Sequence, residues 1–179
     1  TAVECSARFL HDSLGQVQAA VTVLRGLATA DRLSTEARAL LVDWLLELRE
    51  FDQALDEVRA LLAERRFVLA DRLRAIRAYS EAGRRDDARQ FAEATAAEFE
   101  AADRLPAHTR AELAEACANS GLHELAAEFY EGAIREVERG GSRPLRGDLR
   151  LANWYGARAN SLAELSQFDA AVEAAGAAI

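Results

Sequence analysis

Three histidines, two cysteines and thirty acidic residues are the chain's stock of reactive side chains. Their spacing argues against catalysis. His11-Asp12 are neighbours on one predicted helix, with no nucleophile in evident partnership. His123-Glu124 falls at a turn and starts no His-Glu-x-x-His zinc site, because no second histidine follows four residues after the first. Lysine is absent, so a Gly-x-x-x-x-Gly-Lys phosphate loop is excluded. Glu112 and Glu115 share a helix face at i, i+3. Two carboxylates there could meet a cation, but the pattern reads first as a solvated acidic face. Arg146-Gly147-Asp148 matches an adhesion tripeptide by letters alone. The expectation is a protein that is not an enzyme and carries no cofactor and no metal.

Charge and composition narrow the partners. The 22 basic residues, all arginine, face 30 acidic ones, and the net charge is -8. Nucleic-acid backbone binding is therefore not expected. Trp44 and Trp154 read as packing residues, since base stacking would want a basic surround. No apolar run approaches the roughly 18 residues that span a membrane, and no signal-peptide pattern is present, so membrane insertion is not expected. Two cysteines are too few for a disulfide framework. Cys5 and Cys117 lie about six helices apart in sequence, so a bond between them is not expected. The expected compartment is the cytoplasm, with the periplasm as the alternative. The chain opens on Thr1 rather than methionine, which predicts a fragment or a processed form.

The elements that would position any site are helices. Half the residues are apolar, and only 2 are proline. One turn pattern recurs: Leu14-Gly15-Gln16-Val17, Glu50-Phe51-Asp52, Gly83-Arg84-Arg85-Asp86, Gly121-Leu122-His123-Glu124 and Ser166-Gln167-Phe168-Asp169. After each comes a small residue, Ala20, Ala54, Ala88, Ala126 and Ala171, at spacings of 34, 34, 38 and 45. A period in this range means a repeat array. Ten helices follow. They run from about Ala2 to Leu14, Val17 to Thr29, a start capped by Ser34 or Thr35 to Leu48, and Phe51 to Glu64. The next are Val68 to Ala82, Asp86 to Ala101, Pro106 to Asn119 and Leu122 to Arg139. The last two run from Leu145 or Asp148 to Leu165 and from Phe168 to Ile179. Gly83 is the expected left-handed stop of the fifth helix, and Gly140-Gly141-Ser142-Arg143-Pro144 the one clear loop.

Five helix pairs with a basic period of 34 resemble the tetratricopeptide repeat (TPR) family. The alanine slot is filled in every copy. The family's tyrosine slot holds His11, Leu45, Tyr79, Cys117 and Leu162, and its phenylalanine slot holds Leu24, Val58, Ala92, Tyr130 and Ala175. There are departures. The leading tryptophan slot holds Glu4, Arg38, Arg72, Arg110 and Tyr155, and the glycine slot Arg8, Val42, Ile76, Ala114 and Ala159. The resemblance implies an all-α right-handed superhelix (solenoid) of five antiparallel helix pairs. It would form one domain over 1–179 with repeats near 1–34, 35–68, 69–106, 107–151 and 152–179, the last two elongated.

The resemblance also implies where a partner would bind. In this family the first helix of each pair lines a concave groove that holds peptides. Carrying the slots over gives Phe9, Asp43, Arg77, Glu115 and Asn160 as one row and Cys5, Ala39, Leu73, Ala111 and Gly156 as another. Asp12, Leu46, Glu36, His108 and Asn153 flank them, with Glu47 and Asn119 nearby. The family's clamp for C-terminal carboxylates is not expected, because Cys5 and Phe9 stand in its lysine and asparagine slots. Asp12, Glu36, Asp43 and Glu47, opposed mainly by Arg77, make the first half acidic and predict a basic peptide there, anchored by Phe9, Leu46 and Leu73. Asn119, Asn153 and Asn160 would hold a peptide backbone further along. The implied function is a non-enzymatic interaction scaffold for a protein or peptide partner. The alternatives are a regulatory repeat domain controlling an attached output domain in a bacterial protein, and a periplasmic array of an export system. The tenth helix, with Phe168, Ala171, Val172, Ala175, Ala178 and Ile179 along an apolar side, predicts self-association or a missing terminal cap.

Overall fold

The computed structural model describes residues 1–30, 32–139 and 149–177. Among them there is no strand. Ten helices follow one another: α1 (Ala2–Asp12), α2 (Val17–Thr29), α3 (Thr35–Glu47), α4 (Phe51–Glu64), α5 (Leu69–Glu81), α6 (Arg85–Ala101), α7 (Ala107–Asn119), α8 (His123–Arg139), α9 (Leu149–Glu164) and α10 (Phe168–Gly176). The expected all-α architecture of helix pairs is what the chain adopts. The Gly140–Pro144 loop, the Arg146-Gly147-Asp148 tripeptide, the early start expected for α9, and Ala178 and Ile179 lie outside the described residues.

The turns inside the pairs share a left-handed residue, and four of the five share one hydrogen-bonded closure. Gly15, Gly83 and Gly121 take positive φ of 63°, 75° and 72°, and Arg49 and Ser166 take the same conformation at 59° and 60°. The next amide then reaches back to a carbonyl of the preceding helix. Glu50 N donates to Leu45 O (2.9 Å), Arg84 N to Tyr79 O (2.9 Å), Leu122 N to Cys117 O (2.8 Å) and Gln167 N to Leu162 O (3.0 Å). This is the six-to-one closure that ends a helix on a left-handed residue. Arg49 and Ser166 each bear a Cβ cost of about 1 kcal/mol that glycine avoids. Of the helix starts between pairs, that of α3 is capped by a side chain and that of α7 by a proline. Ser34 Oγ accepts from Ala37 N (3.2 Å), and Pro106 is the N-cap of α7 rather than its first residue.

By internal contacts the chain divides into two compact units, Thr1–Arg84 and Arg85–Ile179. In the first, α1 packs on α2, α2 on α3, α3 on α4 and α4 on α5, and α3 also meets α5. In the second, α6 packs on α7, α7 on α8, α8 on α9 and α9 on α10, and α7 meets α9. Within each unit, α3 and α5, and α7 and α9, thus lie side by side. The recurring alanines explain the pairing. Ala20, Ala54, Ala88, Ala126 and Ala171 are all buried, as a small side chain must be where helix backbones approach. Leu24, Leu41, Leu45, Leu55 and Leu61 fill the core of the first unit. Truncating any one to alanine would cost about 2–5 kcal/mol.

One expectation needs amendment. Elongation is not confined to the last two repeats. α6 has 17 residues, as many as α8, while α5 and α7 have 13. The wider spacing from Ala88 to Ala126 is taken up by an extra turn of α6. The polar heads that stand in the tryptophan slot are met locally. Arg38 donates to Glu57 (2.6 Å), Arg72 Nε to Arg66 O (3.0 Å), Arg110 to Glu100 (3.3 Å), and the Tyr155 hydroxyl to Glu138 (2.5 Å). Glu4 accepts from Ser34 N (3.0 Å). Long side chains replace the indole with an aliphatic stem and a paired head.

Candidate partner-binding site

In the first unit the acids of α1 and α3 are already answered by the chain's own cations. Arg74 Nε donates to both carboxylate oxygens of Asp43 (3.1 and 3.1 Å), and its Nη1 donates to Asp71 Oδ1 (3.2 Å). Arg65 Nη1 donates to Glu36 (3.3 Å). His11 is bracketed: Nδ1 lies 2.7 Å from Asp12 and Nε2 3.1 Å from Glu47, while its ring stacks on buried Trp44 with centroids 4.6 Å apart. The hydrogen bond to Asp12, and after it that to Glu47, raise the His11 pKa above its ordinary value against the pull of burial. The acidic strip expected to attract a basic peptide is therefore largely neutralised. Arg77 is not its counter-ion, since it pairs with Glu81 on its own helix (2.6 Å). Helix geometry accounts for this. Arg77 and Glu81 stand at i, i+4, whereas Arg74 is three residues from Asp71 and reaches across to α3.

Of the apolar anchors expected here, Phe9 is 57% exposed and Leu73 half-buried, but Leu46 is only 2% exposed. Leu46 belongs to the core next to Leu45 and offers a partner nothing. α3 is apolar on most sides, so no amphipathic stripe separated its inward leucines from its outward ones.

In the second unit the expected residues converge better. A cleft of about 390 Å³ is lined by His108, Ala111, Glu112 and Glu115 of α7, Tyr130 of α8, and Asn153, Trp154 and Ala157 of α9. Glu115, Asn153, His108 and Ala111 all come from the slots carried over for the groove. Neither Glu112 nor Glu115 pairs with an arginine or histidine among the described residues. Tyr130 is 5% exposed, and its hydroxyl makes no hydrogen bond with any described residue. Burial, reinforced by the Glu115 charge, pushes its pKa up to about 12. Asn119 and Asn160 are exposed but do not line the cleft. Trp154, read from sequence as a packing residue, forms part of the cleft wall instead. Tyr130 was legible only as a filler of the phenylalanine slot, where a phenol brings a hydroxyl that phenylalanine would lack.

Comparison with solved structures decides the fold type. Kinesin-light-chain-type, nearly identical TPR-like repeats from Podosopora anserina superpose with a TM-score of 0.68 at 19% identity, covering 99% of this chain and 92% of that one. MamA from Desulfovibrio magneticus RS-1 superposes with a TM-score of 0.60 at 14% identity, covering 99% and 94%. The fold is of the tetratricopeptide-repeat type. No family model and no curated protein matches this TPR-type chain by sequence. The tryptophan and glycine slots are where the sequence departs from the TPR signature, while the recurring alanines and turns accompany the shared geometry. Among the described residues of this TPR-type fold, no group of three or more His, Cys, Asp or Glu could hold a metal ion, and no helix is long and apolar enough to cross a membrane.

Proposed function

We propose that the chain is a non-enzymatic protein-interaction scaffold that takes a partner polypeptide on the faces presented by the first helices of its pairs. The observation that carries this reading is the α7–α8–α9 cleft. It gathers exposed and half-exposed polar and aromatic side chains from two successive repeats, at the very slots where TPR-type folds present a binding face. Asn153 supplies a donor and an acceptor for a peptide backbone. Phe9, an exposed aromatic, is the corresponding anchor in the first unit. Because Asp43, Glu36 and Glu47 are engaged by Arg74, Arg65 and His11, the first unit draws a basic partner less strongly than its acid count implies.

Site-specific photo-crosslinking tests the reading. A crosslinking residue placed at Phe9 or Asn153 should trap a polypeptide partner, whereas one at Asp52 on the outer helix α4 should not. Crosslinks confined to Asp52 would overturn it.

Self-association is favoured by one specific observation. Phe168 and Val172 of α10 are 64% and 72% exposed, while Ala171 and Ala174 of the same helix turn inward against Leu162 and Ala159. We infer a second, weaker association surface there, which joins copies of the chain.

A further inference from the structure

We propose that the α7–α8–α9 cleft is a receptor for a single cationic side chain, an arginine or lysine presented by the partner polypeptide. This rests on the scaffold reading above and names the chemistry of the group it captures. Three independent features meet in the cleft. Glu112 and Glu115, three residues apart on α7, put two carboxylates on one side, with no arginine or histidine paired to either among the described residues. Trp154 of α9 offers a ring on another side, and an aromatic face attracts a guanidinium or ammonium through its quadrupole. Tyr130 of α8 closes the cleft. The residue is 5% exposed, and its hydroxyl, which keeps some access to solvent, has no hydrogen-bond partner among the described residues.

A hydroxyl on a largely buried ring with no partner among the described residues is free to accept from a donor that enters the cavity. The hydroxyl oxygen can accept one N–H of a guanidinium whose other N–H groups face the carboxylates. Arginine has five such donors in a planar fork, so it can satisfy all three features at once, and lysine fewer of them. The volume, about 390 Å³, lies within the range of small-ligand sites and admits either side chain.

The first unit sharpens the contrast. Every acid there that was expected to recruit a basic segment has a cation of the chain beside it. In the second unit Glu112 and Glu115 have no such cation among the described residues, and they lie beside an aromatic wall. An anionic ligand is disfavoured in this cleft, since Glu112 and Glu115 are its formal charges and His108 its sole ionisable base.

The test is selection of peptides from a random displayed library on the intact chain, followed by affinity measurement of the enriched peptides. Peptides carrying arginine or lysine at a fixed position are expected. Their affinity should fall about fivefold with Glu112→Gln/Glu115→Gln and by a similar factor with Trp154→Ala. It should weaken with salt in the parent and lose that dependence in the Gln pair. Tyr130→Phe, which keeps the ring, should weaken arginine peptides more than lysine peptides. Enriched peptides without a cation that bind the cleft would overturn this inference and leave the scaffold reading standing. Cationic peptides indifferent to the Gln pair would do the same. Failure to enrich any peptide would count against both. Glutamine in place of glutamate on an exposed helix face keeps the fold, so a lost interaction is not confused with unfolding.

Discussion

Replacing Arg74 with methionine is expected to destabilise the first unit far more than neutralising the buried acid that Arg74 touches. Asp71 has 0% exposure. Arg74 reaches it at 3.2 Å, and Arg65 Nε lies 3.0 Å from its Oδ2, which nevertheless has no hydrogen bond of proper geometry. Desolvation is the largest influence on Asp71 and outweighs both arginines, so its pKa stands above the ordinary 3.8. A group with a raised folded pKa contributes stability below its unfolded value and loses that contribution as pH rises through the folded value. Ionised Asp71 is thus a cost at neutral pH, and Asp71→Asn should lie within about 1 kcal/mol of the parent, with a flatter pH profile above pH 3.8. Arg74→Met removes charge-assisted bonds to Asp43 and Asp71 and leaves a buried carboxylate to Arg65 alone. Two lost bonds to charged groups at about 1.5 kcal/mol each come to about 3 kcal/mol, reduced to about 2 by the partial exposure of Arg74 and Asp43. With a urea slope of about 2 kcal/mol per molar, the unfolding midpoint should drop by about 1 M. If Asp71→Asn lowered the midpoint more than Arg74→Met, attraction would exceed desolvation and the reasoning would be wrong. The substitution has a functional consequence too. It frees Asp43, so the first unit should gain affinity for basic peptides, measurable by titration.

The hydrogen bonds and stacking of His11 should make the first unit more stable below pH 6.5 than above it, with the difference fading as pH rises through the raised folded value; His11→Leu, followed by urea midpoints between pH 5 and 8, should remove that slope. Cys5 is exposed and should react at once with a thiol reagent. Cys117 is buried, with its thiol pushed up to about 12, and should react only after unfolding; equal rates in the native chain would contradict the packing of α7. Phe168→Gln with Val172→Gln should shift sedimentation toward the monomer without lowering helicity, and an unchanged distribution would remove α10 as an association surface.

How much was legible beforehand depended on the range of the interaction. Repeat period, helix pairs and turn positions were written in single residues. A small alanine marks each close helix approach, and a left-handed residue marks each turn, glycine in three cases and arginine or serine in two. These are local demands of backbone geometry, so Val17–Thr29 and Phe51–Glu64 could be bounded to the residue. The charge pattern was legible only as a composition. Which carboxylate stays unpaired depends on cations that folding brings near. Arg74 stands 31 residues from Asp43 and Arg65 29 from Glu36, so those acids are quenched, while Glu112 and Glu115 meet no such partner among the described residues. The same holds for Leu46, which an all-round apolar helix could not assign to a side, and for Tyr130 and Trp154, which only the packing of α7, α8 and α9 brings to one cleft. Backbone form follows from neighbours in the chain. The availability of a side chain to a partner follows from neighbours in space, and tertiary structure alone decides those.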